Sequence, residues 1–164
     1  MQECGHLAAL TLFHVPVDGL RLGGLGAVIY ARGARRLSYG RELLVTLAGP
    51  VVNLLSAVLF AYLARRFAWE WGYLFAGAHV LLGVYNLLPV APLDGGRALY
   101  LLVAWRWGPT AGDTASAVAG LLCALTLTAL GAYLTVACGG VFFLLAALGL
   151  LIPQLGLAKR RLSV

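Results

Sequence analysis

Long apolar runs alternate with short basic or glycine-rich breaks along this chain. Residues 42–64 form one run, closed by Arg65 and Arg66. A second opens at Trp69, Trp71 and Tyr73 and continues to residue 88; two more cover residues 114–137 and 141–157. A helix that spans a bilayer needs about 20 predominantly apolar residues, so each run reads as a membrane helix. Residues 1–13 also read as helix but are too short to span, so the chain starts inside a hydrophobic element. Residues 14–40 differ. Gly19, Gly23, Gly24, Gly26, Gly33 and Gly40 punctuate them, and Val28, Ile29 and Tyr30 favour strand. They predict a β-hairpin that turns near Gly33 and Ala34. The expectation is an all-α polytopic membrane protein, a bundle of about four to six helices with a short hairpin after the first.

Composition sharpens this. Of 164 residues, 62% are hydrophobic and 11% charged, with mean hydropathy +0.91. That excludes an ordinary soluble domain and leaves an integral membrane protein, one domain over residues 1–164. The net charge of +6 does not argue for nucleic acid, because the basic residues flank apolar segments. Arg21, Arg32, Arg35, Arg36 and Arg41 put the hairpin on the cytoplasmic side. Placing residues 94–107 and Lys159, Arg160 and Arg161 there too leaves Arg65 and Arg66 outside, so the C-terminus is expected to be cytoplasmic. Cys4, Cys123 and Cys138 make no zinc-ribbon or CxxC pattern. The first residues carry Glu3 and lack the basic start of a secretory signal.

The stretch at residues 86–97, N-L-L-P-V-A-P-L-D-G-G-R, organises the rest. Pro89 and Pro92 cannot donate backbone hydrogen bonds, and Gly95 and Gly96 accept dihedrals that other residues resist. The helix should break there, and a break at membrane depth must be buried in protein or line a wet cavity. A carboxylate at that depth, Asp94, costs roughly 2.5 kcal/mol or more unless compensated. It reads either as a metal ligand or as the cap of a short helix beginning near Arg97. At the other end of the chain, residues 2–6 read Q-E-C-G-H. Positions 2 and 6 share one helix face. A zinc-protease helix of H-E-x-x-H type needs imidazoles at both, with a glutamate beside the first.

Together, E-C-G-H-L at residues 3–7, L-A-G-P-V-V-N-L at 47–54 and the stretch at 86–97 resemble the site-2 protease family of intramembrane zinc metallopeptidases. The likeness is greatest to the sporulation branch, which cleaves a pro-sigma factor. It implies one zinc ion, with His6 and Asp94 as ligands and Glu3 as catalytic acid/base. Asn86 and Pro92 match loop positions that shape the substrate site, and Asn53 matches the amide of the G-P-x-x-N helix. It also implies a membrane protein or membrane-associated pro-protein as substrate, the lipid bilayer as surroundings, and regulatory membrane partners. Two departures stand out. Gln2 occupies the first histidine position, and a span normally precedes that helix, so the chain is N-terminally truncated relative to the family. A glutamine carbonyl is a weak oxygen ligand where zinc prefers imidazole, thiolate or carboxylate.

Three function classes follow: an intramembrane zinc endopeptidase impaired by Gln2, a pseudoprotease that holds a membrane segment without cutting it, and a small transporter or channel subunit. The last does not account for the order of the motifs. Outside the motifs, His79 reads as a bonded structural residue, a groove-lining residue or a replacement ligand. His14 reads as solvated or backbone-bonded rather than metal-binding, and Cys4 as a packing residue. Arg97 reads as an interfacial cation or a brace for the Asp94 loop. Gly120, Ala124 and Gly131 imply close helix packing.

Overall fold

A computed structural model describes residues 2–15, 17–23, 26–31, 37–139 and 141–162. Among them the chain is predominantly helical, with six α-helices. It divides into two compact units, Met1–Asn86 and Leu87–Val164.

The first unit holds α1 (Gln2–Leu12), β1 (Val17–Gly23), β2 (Gly26–Ala31), α2 (Tyr39–Phe67) and α3 (Glu70–Asn86). The described part of helix α1 has 11 residues. It ends where His14 takes the left-handed conformation (φ 54°) and the Val15 N–H reaches back to Leu10 O at 3.0 Å. That closes the last turn as glycine usually does and leaves His14 exposed. Strands β1 and β2 pair antiparallel from Val17 opposite Ala31 to Gly23 opposite Gly26. The expected turn near Gly33 and Ala34 is thereby corrected: the chain reverses between Gly23 and Gly26, and residues 32–36 lie outside the described ones. Glycine stands at both ends of the reversal.

Helices α2 and α3 form a hairpin through Ala68, at φ 49°. Gly72 lets α3 fold back, since a Cβ there would lie 2.8 Å from the Ala64 Cβ. At the other end of α2, a Cβ on Gly5 of α1 would lie 2.5 Å from Ala48 O, so the two backbones approach closely. Small residues give interhelical contact where side chains would hold helices apart.

The second unit holds the loop at residues 87–93, α4 (Asp94–Trp107), α5 (Pro109–Cys138) and α6 (Val141–Leu162). Helix α4 packs on α5, and α5 on α6. It begins at Asp94, not near Arg97, and its N-cap is Leu93 without a side-chain cap bond. The early start follows from Gly95 and Gly96. Their missing side chains leave room for the carbonyls of Leu87 and Leu88 and for the Val90 backbone, so the loop lies against the first turn of α4. Gly112, Gly120, Ala124 and Gly131 are the buried residues of α5.

Among the described residues, two helices are long and apolar enough to cross a membrane: Tyr39–Phe67, 33% buried over its most apolar window, and Pro109–Cys138, 11% buried. A core helix of a soluble protein would bury its apolar side chains. Here Leu55, Val58, Leu59, Leu122 and Leu130 are exposed, as lipid-facing residues are. The described part of α6 contributes the shorter apolar stretch Phe143–Leu155.

Candidate functional site

One face of α1 carries the half-motif. Gln2 and His6 both lie against Gly49 of α2. A Cβ at Gly49 would collide with the His6 imidazole at Nε2 and would lie 2.8 Å from Gln2 Cγ. The i, i+4 spacing therefore puts both side chains toward α2, and Gly49 makes the room. His6 Nδ1 donates to Val45 O at 2.8 Å. With Nδ1 as the donor, the neutral ring carries its lone pair on Nε2, a form in which histidine binds metals. Glu3 is half-buried on the adjacent side of α1.

Gln2 is the centre of an amide network that joins three helices. Its Oε1 accepts from Asn86 Nδ2 at 2.8 Å and from Asn53 Nδ2 at 3.2 Å. Asn86 Nδ2 also donates to Leu82 O at 2.9 Å. Asn53, 1% exposed, uses its other end as well: Oδ1 accepts from His79 Nδ1 at 3.3 Å. The His79 ring stacks on Phe60, centroids 5.4 Å apart and planes 8° from parallel. His79 is thus a bonded structural residue of α3. Among the described residues, no buried side-chain nitrogen or oxygen lacks a partner, which the low polarity of the surroundings demands.

The second unit carries the other half of the predicted site. Asp94 is the first residue of α4 and half-buried. Pro92 is exposed and follows a cis peptide bond from Ala91. Within the loop, Val90 N–H donates to Leu88 O at 2.7 Å and Leu93 N–H to Val90 O at 2.8 Å. The Arg97 guanidinium lies 4.9 Å from the centroid of the Tyr100 ring.

The structure therefore gathers Gln2, His6, Asn53 and Asn86 within the first unit, with Glu3 on the same helix; Asp94 and Pro92 belong to the second. The zinc ion implied by the motifs can be tested on these donors. Gln2 stands where the resemblance expects a first ligand, and its oxygen already accepts from two amides. Among the described residues, no three of His, Cys, Asp and Glu gather to hold a metal. These residues do not fit a zinc site on their own, although His6 is in a ligand's tautomer. Sequence reasoning missed Gln154 of α6, 4% exposed, which donates through Nε2 to Ala91 O at 2.7 Å. Its signal was available: an amide directly after Pro153 in an apolar run needs a partner.

The fold is that of a site-2 protease. The chain superposes on the site-2 protease from Methanocaldococcus jannaschii with a TM-score of 0.68, at 21% sequence identity, over 93% of this chain and 70% of that one. No family model matches the sequence. Sequence relatives are named as zinc metalloproteases. Rip3 of Mycobacterium tuberculosis is 32% identical over 138 residues, 79% of this chain and 35% of that protein. A zinc metalloprotease of Ralstonia nicotianae is 36% identical over 102 residues, 60% of this chain and 21% of its own length. One from Methanocaldococcus jannaschii is 24% identical over 113 residues, covering 66% and 32%. The chain thus spans about a third or less of the curated relatives it matches. Relatives and structural neighbour together support the site-2 protease family, and with the two apolar helices they support a membrane protein.

Proposed function

We propose that this chain is a membrane-embedded module of the site-2 protease type that binds an unwound segment of a membrane-associated protein without cutting it. One observation carries the reading: Asn53 and Asn86 both donate to the Gln2 carbonyl oxygen, at the position where a metal-binding imidazole is expected. Two amide N–H groups converging on one oxygen can equally take the carbonyl of an unwound peptide, which has lost its helical partners and needs donors inside a bilayer. Pro92, exposed in the loop, is the second unit's candidate for contact with unwound peptide. On this reading the module crosses the bilayer several times with its C-terminus and hairpin in the cytoplasm, and acts alongside regulatory membrane partners. The sporulation branch and its pro-sigma substrate rest on the three motifs.

A zinc endopeptidase is the second reading, favoured by the His6 tautomer. His6 and Asp94 would hold the ion, and Glu3 would serve as acid/base. Zinc content and cleavage separate the two. The unaltered chain, purified and dialysed, is expected to hold far less than one equivalent of zinc and to leave a membrane-peptide reporter intact. It should still cross-link to that reporter. The Gln2→His variant should gain zinc. About one equivalent in the unaltered chain, together with cleavage, would establish the second reading instead.

A further inference from the structure

The loop at residues 87–93 is held from behind by a residue that no motif includes. Gln154 is buried in α6 and donates through Nε2 to Ala91 O at 2.7 Å. On the α5 side, a Cβ at Gly120 would lie 2.9 Å from Gln154 Oε1 and 3.1 Å from Pro89 O. Gly120 thus leaves the gap through which the α6 amide reaches the loop. A buried amide inside an apolar helix is costly unless bonded, and leucine would pack there without that cost. The N–H is spent on one loop carbonyl. The loop's own bonds both involve Val90; the next carbonyl, that of Ala91, is the one Gln154 takes. Pro92 follows, exposed.

We propose that Gln154 is a positioning residue: by fixing the Ala91 carbonyl it sets the attitude of Pro92 toward an unwound peptide segment. The substrate half of this inference rests on the proposed function; the loop half does not. Gln154→Met keeps the side-chain bulk and removes the donor. Gly120→Ala reaches the same bond from the other side, since the atom its Cβ would crowd most is Gln154 Oε1, with the Pro89 carbonyl next.

The test uses hydrogen exchange on the full chain in detergent, read by mass spectrometry, with cross-linking to a synthetic apolar peptide that carries a central Gly-Pro break. Both variants should speed exchange of the Val90 and Leu93 amides on the order of tenfold. The double variant should add less than the sum of the two, because both weaken the Gln154 bond and only Gly120→Ala also presses on the Pro89 carbonyl. Exchange in α1–α3 should not change, which controls for the fold. Peptide cross-linking should fall in parallel with the loop's protection. Unchanged loop exchange in both single variants would overturn the inference outright. Faster loop exchange with undiminished cross-linking would overturn the positioning role. An unaltered chain that fails to capture the peptide would overturn the proposed function, and with it the substrate half, while loop exchange still decides whether Gln154 holds the loop.

Discussion

Gln2 accepts two amide N–H groups on one oxygen, and Asn53 spends both ends of its side chain within the same network. Removing Asn53 strips a partner from both Gln2 and His79 at a buried position. Asn53→Leu should therefore destabilise the chain by about 1–3 kcal/mol, read as a fall in the unfolding midpoint in detergent. Val51→Ala, at an exposed position of the same helix, should change it little. Gly49→Ala should cost a further class of energy. Its Cβ would push on the His6 ring, and overpacking of that kind costs about 1–3 kcal/mol. At this scale the sequence named Gln2 and His6 by their zinc-helix spacing, Asn86 by its motif, and Asn53 also as an amide that needs a partner. It could not say that they bond to one another. Gln2 read as standing at a lost ligand position; the structure adds that it is the acceptor on which two other helices converge. That distinction depends on partners 51 and 84 residues away, beyond the reach of local pattern.

Elements were more legible than contacts. Hydrophobic runs locate α2 and α5, α2 with arginines at both ends, and the first apolar run marks α1. The start of α4 was misplaced by three residues because Asp94, Gly95 and Gly96 read as breakers. Glycine disfavours helix on its own, but tertiary contact overrides that here: the absent side chains admit the loop carbonyls. The same feature yields a prediction. A Cβ at Gly95 would meet backbone carbonyls of Leu87 and Leu88, which cannot swing aside as a side-chain tip can. Gly95→Ala should part the loop from α4 and raise the rate of proteolytic cutting within residues 87–93 by about tenfold or more. Gly77→Ala is the contrast. A Cβ there meets nothing within 4 Å, and the higher helix propensity of alanine should stabilise α3 by roughly 0.5–1 kcal/mol.

For the whole molecule, the apolar surface is the informative quantity. Val58 is 69% exposed and Leu55 64%, in a helix whose mean hydropathy window is 2.2. Such side chains need lipid. The chain should remain in the pellet when membranes are washed with alkaline carbonate and leave it only in detergent. Val58→Arg should lower the efficiency with which α2 inserts, at a cost of about 2.5–3.5 kcal/mol if it lies near the bilayer centre; an insertion assay on the isolated segment reads this directly. Composition made the membrane class plain because it depends on no particular contact. The division into two compact units was not visible, since the boundary falls at Asn86, inside the most recognisable motif rather than in a linker.

Asn86 is the last residue of α3 and the partner of a residue in the first turn of α1, 84 positions earlier. A ribosome-bound chain that has not yet released Asn86 cannot offer Gln2 the Asn86 amide. The opening helix of the first unit should therefore be the last to settle. Nascent chains arrested before that asparagine emerges should leave α1 loosely docked, while those arrested a few residues beyond it should lock.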